Sequence, residues 1–383
     1  MKTKIESLHS FVPLQGIPEQ HLEYLVERVQ SHFLFTGSTV ESSEFGGDVF
    51  IYLFSGEVVI SHADGSEQTV NANGNLLPLA YQHFLPAKIS AIIDSELIIF
   101  PLDELRKQLC WSQMAEFQRV QIAGDPSRDE DAQWINFILD SNLFFKVPPT
   151  NVSEIFSKLT PKVVSSGDIV VRQGEIGNAC FFIKEGQARV DVIDPETNTQ
   201  KTVAYLGPGR CFGEDALVNK TQRNATVTMI ENGVLMRLSK DDFFPLMKKE
   251  SSDQVSSDLI LSNLNKLDSK QRYVLIDVRT APEYEFGHLK NSVNISLDLL
   301  PLHIPRLDKD IQYVLYSDTA FRSDAGASAL SKLGFKAMSL AEGLRGLISK
   351  SEKDLVPLDY ITTQSYWLHE GSVIADQSSG TMK

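Results

Sequence analysis

Cys211–Val227 reads CFGEDALVNKTQRNATV, and its reading decides what this chain is built around. Gly213 lets the backbone approach a ligand closely, because it carries no Cβ. Residues 214–218 can then form a short helix whose free N–H groups point at an anion. Ten residues after Gly213 comes Arg223, a permanent cation whose forked donors suit phosphate oxygens. Glu214 can accept a hydrogen bond from a hydroxyl on the same ligand. An arginine, a carboxylate and a helix N-terminus together fit a sugar phosphate.

Outward from this stretch, the flanking sequence alternates in short runs broken by Gly, Asp and Asn: ACFFIKEGQARVDVIDPETNTQKTV before it, TVTMIENGVLMRLSKDDF after it. Such runs read as short strands of a β-roll or jelly-roll barrel. The first third of the chain repeats the plan. FVPLQGIPEQHLEYLVERV is helical, DVFIYLFSGEVVISHADGSEQTV strand-rich, and SAIIDSELIIFPLDEL an aliphatic strand running into an acidic helix start. The two copies align Gly56 with Gly186 and Glu96 with Gly233. The first copy lacks the decisive stretch. Asn75–Ala91 has no Gly-Glu pair, Pro86 falls about where the arginine belongs, and Lys88 is the nearby cation.

After about residue 254 the pattern changes. SSDLILSNLNKL reads as a helix, YVLIDV as a buried strand, EYEFGHL as a helical turn and QYVLYS as a second buried strand. SDAGASALSKLG is a helix that Gly334 stops. Buried strands alternating with helices predict a parallel α/β sheet. The expected domains are therefore 1–125, 126–253 and 254–355, with a tail over 356–383. The polar, acidic stretch Asp125–Trp134 links the first two.

These motifs carry two resemblances. The stretch Phe212-Gly213-Glu214-Asp215-Ala216-Leu217, then Arg223-Asn224-Ala225-Thr226-Val227, resembles the phosphate-binding cassette of the cyclic nucleotide-binding domain family, over roughly residues 135–250. The resemblance implies that Glu214 holds the ribose 2′-hydroxyl and Arg223 the cyclic phosphate, with main-chain N–H groups near Ala216 and Ala225 completing the cradle. It departs from the family at Asp215, where an aliphatic residue is common, and at Gln222, where proline is. The first copy resembles the same family without its cassette, which implies a non-binding copy used for packing or dimerisation. Residues 255–350 resemble the rhodanese family, through Asp277, Arg279, Glu283, Tyr284, Gly287 and His288, and through the loop Ser317-Asp318-Thr319-Ala320-Phe321-Arg322-Ser323.

The family's active-site loop opens with cysteine; here it opens with Ser317, and Ala320 replaces a glycine. Sulfur transfer needs a thiolate that attacks and holds sulfur. A hydroxyl cannot form a persulfide, so no enzyme activity is expected, although Arg322 leaves anion binding at this loop open. A hydrolase using Ser317 would have His288 as its base.

The bulk properties agree with a regulatory binding protein. The chain has 383 residues, 42% hydrophobic and 22% charged, enough for two to four domains at about 100–200 residues each. A net charge of −14 argues against nucleic acid. No apolar stretch is long enough to span a bilayer. The N-terminus MKTKIESLHSFVPL lacks a long apolar core, so a cytoplasmic location is expected. Cys110, Cys180 and Cys211 are too scattered for a metal site. No cofactor is expected beyond the ligand, cAMP or else cGMP. The implied partners are a cyclic nucleotide, a protein that receives the signal and, as one candidate assembly, a second copy of the chain. The weighed alternatives are a non-binding scaffold and a nucleotide-regulated sulfurtransferase or hydrolase. The base of the nucleotide needs a cover. The helix starting near Asp241 has little room, and the aromatic tail residues Tyr360, Tyr366 and Trp367 are candidates.

Overall fold

Strand Val49–Ser55 shows how the first barrel is assembled. Its run Phe50-Ile51-Tyr52-Leu53 is buried throughout, because both faces of the strand are covered and successive side chains point opposite ways. Ile51 and Leu53 enter a core with Val58, Ile60, Ile89 and Leu97. Phe50 and Tyr52 enter a second core with Leu14, Leu102, Leu105 and Leu109. The Tyr52 hydroxyl donates to the Val12 carbonyl at 3.0 Å, so the buried phenol is satisfied.

The computed structural model describes the chain except for residues 1–6, 18–21, 23–24, 27–28, 47–48, 63–64, 80–86, 124–138, 140–146, 195–196, 249–251, 265–272, 355–360, 370–371 and 376–383. The linker Asp125–Trp134, Pro86, Tyr360 and the end of the tail therefore lie outside the described residues. The chain divides into two compact units, residues 1–113 with 251–383, and residues 114–250.

In the first unit, β1 (Gln30–Leu34), β2 (Thr39–Glu41), β3 (Val49–Ser55), β4 (Glu57–Ser61), β5 (Glu67–Asn71), β6 (Lys88–Ala91) and β7 (Ser95–Pro101) form two antiparallel sheets, ordered β1-β7-β3 and β2-β6-β4-β5. Helix α1 (Leu102–Ala123) follows without a break.

The second unit repeats this order. After α2 (Val152–Lys158) come β8 (Thr160–Val164), β9 (Ile169–Val171), β10 (Ala179–Glu185), β11 (Ala188–Ile193), β12 (Gln200–Leu206), β13 (Cys211–Phe212), α3 (Glu214–Val218), β14 (Thr226–Met229), β15 (Gly233–Ser239) and α4 (Lys240–Leu246). Its sheets run β13-β10-β15-β8 and β12-β11-β14-β9. Their inward residues, among them Phe181, Ile183, Phe212, Val227 and Leu235, share one core.

The registers fix the equivalence of the two copies. Leu34 pairs Ser95, and Val164 pairs Gly233. Gly56 and Gly186 both take positive φ, at 96° and 88°. Ser95, not Glu96, is therefore the counterpart of Gly233 in the other copy, one residue away from the expected match. Neither β7 nor β15 alternates strictly, so their apolar runs lack the period-two pattern that would fix the register to one residue.

The rest of the first unit is the parallel α/β domain. Its five strands are β16 (Gln254–Val255), β17 (Tyr273–Asp277), β19 (Ser292–Asn294), β20 (Gln312–Tyr316) and β21 (Lys336–Leu340), in order β16-β21-β20-β17-β19, all parallel. The short β18 (His288–Leu289) lies between β17 and β19 in the chain. Between the strands run α5 (Ser257–Leu264), α6 (Ala281–Glu285), α7 (Leu300–His303), α8 (Ala320–Lys332) and α9 (Gly343–Asp354). Gly334 ends α8 as expected. Its φ is 85°, its N–H bonds Ser331 O at 2.9 Å, and Phe335 N bonds Leu330 O at 3.1 Å, a Schellman cap.

The tail continues on this domain. β22 (Ile361–Thr362) pairs β18, and β23 (Tyr366–His369) pairs β24 (Ser372–Ala375). The Tyr366 ring meets His288 edge-on at 6.1 Å, while Trp367 is 63% exposed.

Candidate functional site

Phe212 anchors the cassette. Its ring stacks on Phe181 at 5.4 Å, across the β10–β13 pair. The chain then turns at Gly213, with φ +86° as the N-cap of α3. Only glycine fits this position. A Cβ there would lie 2.5 Å from an Arg223 terminal nitrogen, and the φ itself disfavours any L side chain. Ala216 and Leu217 bury the inner face of α3, while Asp215 is exposed. The charge that departs from the family pattern thus points into solvent.

Arg223 is buried, 6% exposed. One guanidinium nitrogen donates to Ala179 O at 2.6 Å, and another donates to Gly213 O. Its backbone is fixed as well: Arg223 N bonds Glu175 O at 2.8 Å, and Gly174 N bonds Arg223 O at 2.9 Å. Burial draws the guanidinium below its ordinary pKa, opposed by the neighbouring Cys180, Glu214 and Glu175. Glu214 is half-buried, and the Cys211 thiol donates to its carboxylate at 3.7 Å. Burial pushes the Cys211 thiol up, and Cys180 and Glu214 add to the shift, so it stays protonated. Asn224 is exposed and Ala225 half-buried beside β14. Phe212, Gly213, Glu214, Ala216, Leu217 and Arg223 are therefore brought together, and Asp215 and Asn224 form the rim.

Two contributors escaped the sequence reading. Gly177 packs so tightly that a Cβ would meet Arg223 Cζ at 3.1 Å and Ala216 Cβ at 3.2 Å. Its signal was the glycine spacing in RQGEIGNA. Ala179 contributes only a carbonyl, for which no side-chain signal exists. A groove of about 640 Å³ adjoins α3, lined among others by Gly177, Ala216, Leu217, Lys220, Lys240 and Phe244. Helix α4 supplies the last two.

The loop after β20 is wired differently from what its motif suggests. Ser317 is fully buried; its hydroxyl donates to Thr319 O and accepts from Ser323 N at 3.3 Å. Arg322 grips Glu283 with two bonds of 2.7 Å and Asp318 with one of 3.0 Å. Asp318 also accepts from Arg106 Nε at 3.2 Å. Burial alone would raise both carboxyls. Arg322, with Arg106 at Asp318, instead holds each below the ordinary carboxylate range. Ala320 opens α8 and is not a positive-φ residue, so the lost glycine costs the backbone nothing there.

Phe321 is half-buried, and its carbonyl accepts from the Cys110 thiol at 3.6 Å. His288 does not meet Ser317. Its ring nitrogens face Tyr284 O at 2.7 Å and Gln364 O at 2.8 Å, leaving no Ser–His pair. Asp277 and Arg279 form their own buried pair at 2.6 Å, and Arg279 also reaches Gly287 O. Asp277, Arg279, Glu283, Tyr284, His288 and Arg322 are thus tied to one another or to main-chain carbonyls of the domain, while Asp318 and Phe321 also bond α1. Among the described residues no helix is long and apolar enough to cross a membrane, and no cluster of three metal-ligating side chains occurs.

Comparison with known proteins identifies the two segments. Residues 161–250 match the model of the cyclic nucleotide-binding domain, and residues 261–350 that of the rhodanese-like domain. A cyclic nucleotide-gated potassium channel of Rhizobium etli is 38% identical over 101 residues, 26% of this chain and 26% of the channel. The cyclic AMP receptor protein of Thermus thermophilus is 28% identical over 28% of this chain and 50% of its own length. Human cGMP-dependent protein kinase 2 is 26% identical over 40% of this chain and 20% of the kinase. The chain thus spans half or less of these relatives. Among solved structures, the regulatory subunit of a cAMP-independent protein kinase A from Trypanosoma cruzi bound to guanosine matches 64% of this chain and 83% of its own, at 14% identity and TM-score 0.27.

Proposed function

We propose that residues 126–253 bind one cyclic nucleotide, cAMP in preference to cGMP, and that the protein is a soluble, cytoplasmic regulator without catalytic activity. The observation that carries this reading is the buried Arg223, held behind the Gly213 turn at the head of α3. Two of its five N–H donors rest on the main-chain carbonyls of Gly213 and Ala179. A phosphate offers better acceptors, since charge-assisted hydrogen bonds are roughly twice as strong as neutral ones. Binding on this reading is an exchange: Arg223 turns from Gly213 O and Ala179 O to the phosphate. Glu214 gives up the Cys211 thiol, a weak donor, for the ribose 2′-hydroxyl. Free N–H groups at the start of α3 face the remaining phosphate oxygens.

The first copy holds no ligand on this reading, and the α/β domain presents a surface rather than a reaction. Its loop opens with Ser317 in place of a thiol, and His288, the candidate base, is turned to Tyr284 O and Gln364 O instead. The expected output is a contact with another protein, with a homodimer as one candidate.

A non-binding scaffold is the competing reading, and one observation favours it: both terminal nitrogens of Arg223 already donate to main-chain carbonyls without a ligand. Equilibrium dialysis of the full chain with labelled cAMP separates the two. Charge-assisted bonds are worth about 1.5–3 kcal/mol each, and about 1.4 kcal/mol is tenfold. Arg223→Ala, losing two, should weaken binding on the order of a hundredfold or more. Glu214→Ala should cost less, and should change little for a 2′-deoxy ligand. Wild-type protein that retains no nucleotide would favour the scaffold. Retention unchanged by Arg223→Ala would move the phosphate elsewhere.

A further inference from the structure

Asp318 presents a problem that the α/β domain alone only half solves. It is a carboxylate 9% exposed, at the centre of a loop that ends a buried parallel strand. A buried charge is tolerated only when paired and hydrogen-bonded. Arg322 faces Asp318 but already holds Glu283 with two short bonds. The second guanidinium comes from Arg106 on α1, 212 positions earlier in the chain and 7% exposed.

Arg106 does not stand alone. One turn on, the Cys110 thiol donates to Phe321 O at 3.6 Å. Another turn on, Gln113 donates to Asp298 at 3.1 Å. Positions i, i+4 and i+7 lie on one helix face, so a single polar stripe of α1 meets the α/β domain. The domain answers at the other side of the loop. Arg345 N bonds Asp318 O at 3.0 Å, and its guanidinium lies 5.6 Å from the Phe50 ring of β3.

We propose that the loop Ser317–Ser323 is a docking socket for α1. The partner of this site is the chain's own helix, read through Arg106 by the Asp318 carboxylate. Residues 1–113 and 251–383 are consequently one cooperative folding unit, although nearly 140 residues separate them in sequence. The socket also accounts for the retained loop. Its arginine is matched by Glu283 and Asp318, and its centre is filled by an acidic side chain that Arg106 pairs.

Amide hydrogen exchange of the full chain, read by mass spectrometry, tests this. Peptides covering 102–113 and 317–332 report the two sides of the socket; a peptide covering 226–239 serves as the control. Arg106→Met and Asp318→Asn should each speed exchange on both sides at least tenfold, and leave the control unchanged. The double variant should exchange no faster than the worse single one, because the two residues act as a pair. Should Arg106→Met fail to fold, Arg106→Lys, which keeps the charge but loses the Nε contact, should show the same pattern more weakly. Acceleration confined to the substituted side, or fully additive effects in the double variant, would overturn the proposal.

Discussion

Gly213 and Arg223 are a matched pair at the scale of single residues. The glycine exists for two reasons, its φ of +86° and the guanidinium 2.5 Å from where a Cβ would be. Gly213→Ala therefore meets both penalties: about 1–2 kcal/mol for the left-handed backbone, and displacement of the arginine. The expected result is a lower Tm and loss of cyclic nucleotide binding together, seen in thermal unfolding with and without ligand. A variant that binds normally would show that Gly213 sets only the fold. This residue was legible in the sequence because its chemistry is its own. Gly177 was less so, and the Ala179 carbonyl not at all, because a main-chain acceptor can belong to any residue type.

Elements carry the second set of expectations. Glu283 and Asp318 sit at α6 and at the start of α8 with folded pKa values below the ordinary carboxylate range, held there by Arg322 and, at Asp318, Arg106 against the opposing effect of burial. A depressed carboxyl adds stability that is present above its unfolded pKa, about 4, and is lost as pH falls through that value toward the folded one. The Tm of the first unit should hold down to about pH 5 and drop steeply below about pH 4. Glu283→Gln should lower Tm at pH 7 and flatten the acid slope; an unchanged slope would show that the pair is not what acid breaks.

The same wiring bears on chemistry. Ser317→Cys should yield no thiosulfate sulfurtransferase activity in a standard assay, since the loop's arginine is committed to Glu283 and Asp318. Activity well above background would show that the ties of Arg322 to Glu283 and Asp318 do not block the loop. Many elements were legible: the two buried strands β17 and β20 and the stop at Gly334 stand where composition and spacing put them, whereas the short strands β16, β19 and β21 carried no pattern strong enough to read, and His288–Leu289, read as the end of a helical turn, forms β18. The partner of Asp318 was not, since nothing local marks Arg106 as belonging to a loop 212 positions away.

The whole molecule is two copies of one barrel plan with a parallel α/β domain. The registers Leu34–Ser95 and Val164–Gly233 make the copies equivalent strand by strand. In sequence, what separates them is the stretch between β12 and β14, which carries β13, α3 and Arg223, against Asn75–Ala91 with no Gly-Glu pair. The sequence showed that difference plainly as one cassette against none, but how the chain groups into units depended on long-range contacts that no local pattern encodes.

The central claim is a count, and calorimetric titration of the full chain with cAMP and then cGMP measures it. One site per chain, tighter for cAMP and absent in Arg223→Ala, is the predicted result. Two sites per chain, or no heat of binding up to millimolar ligand, would contradict it.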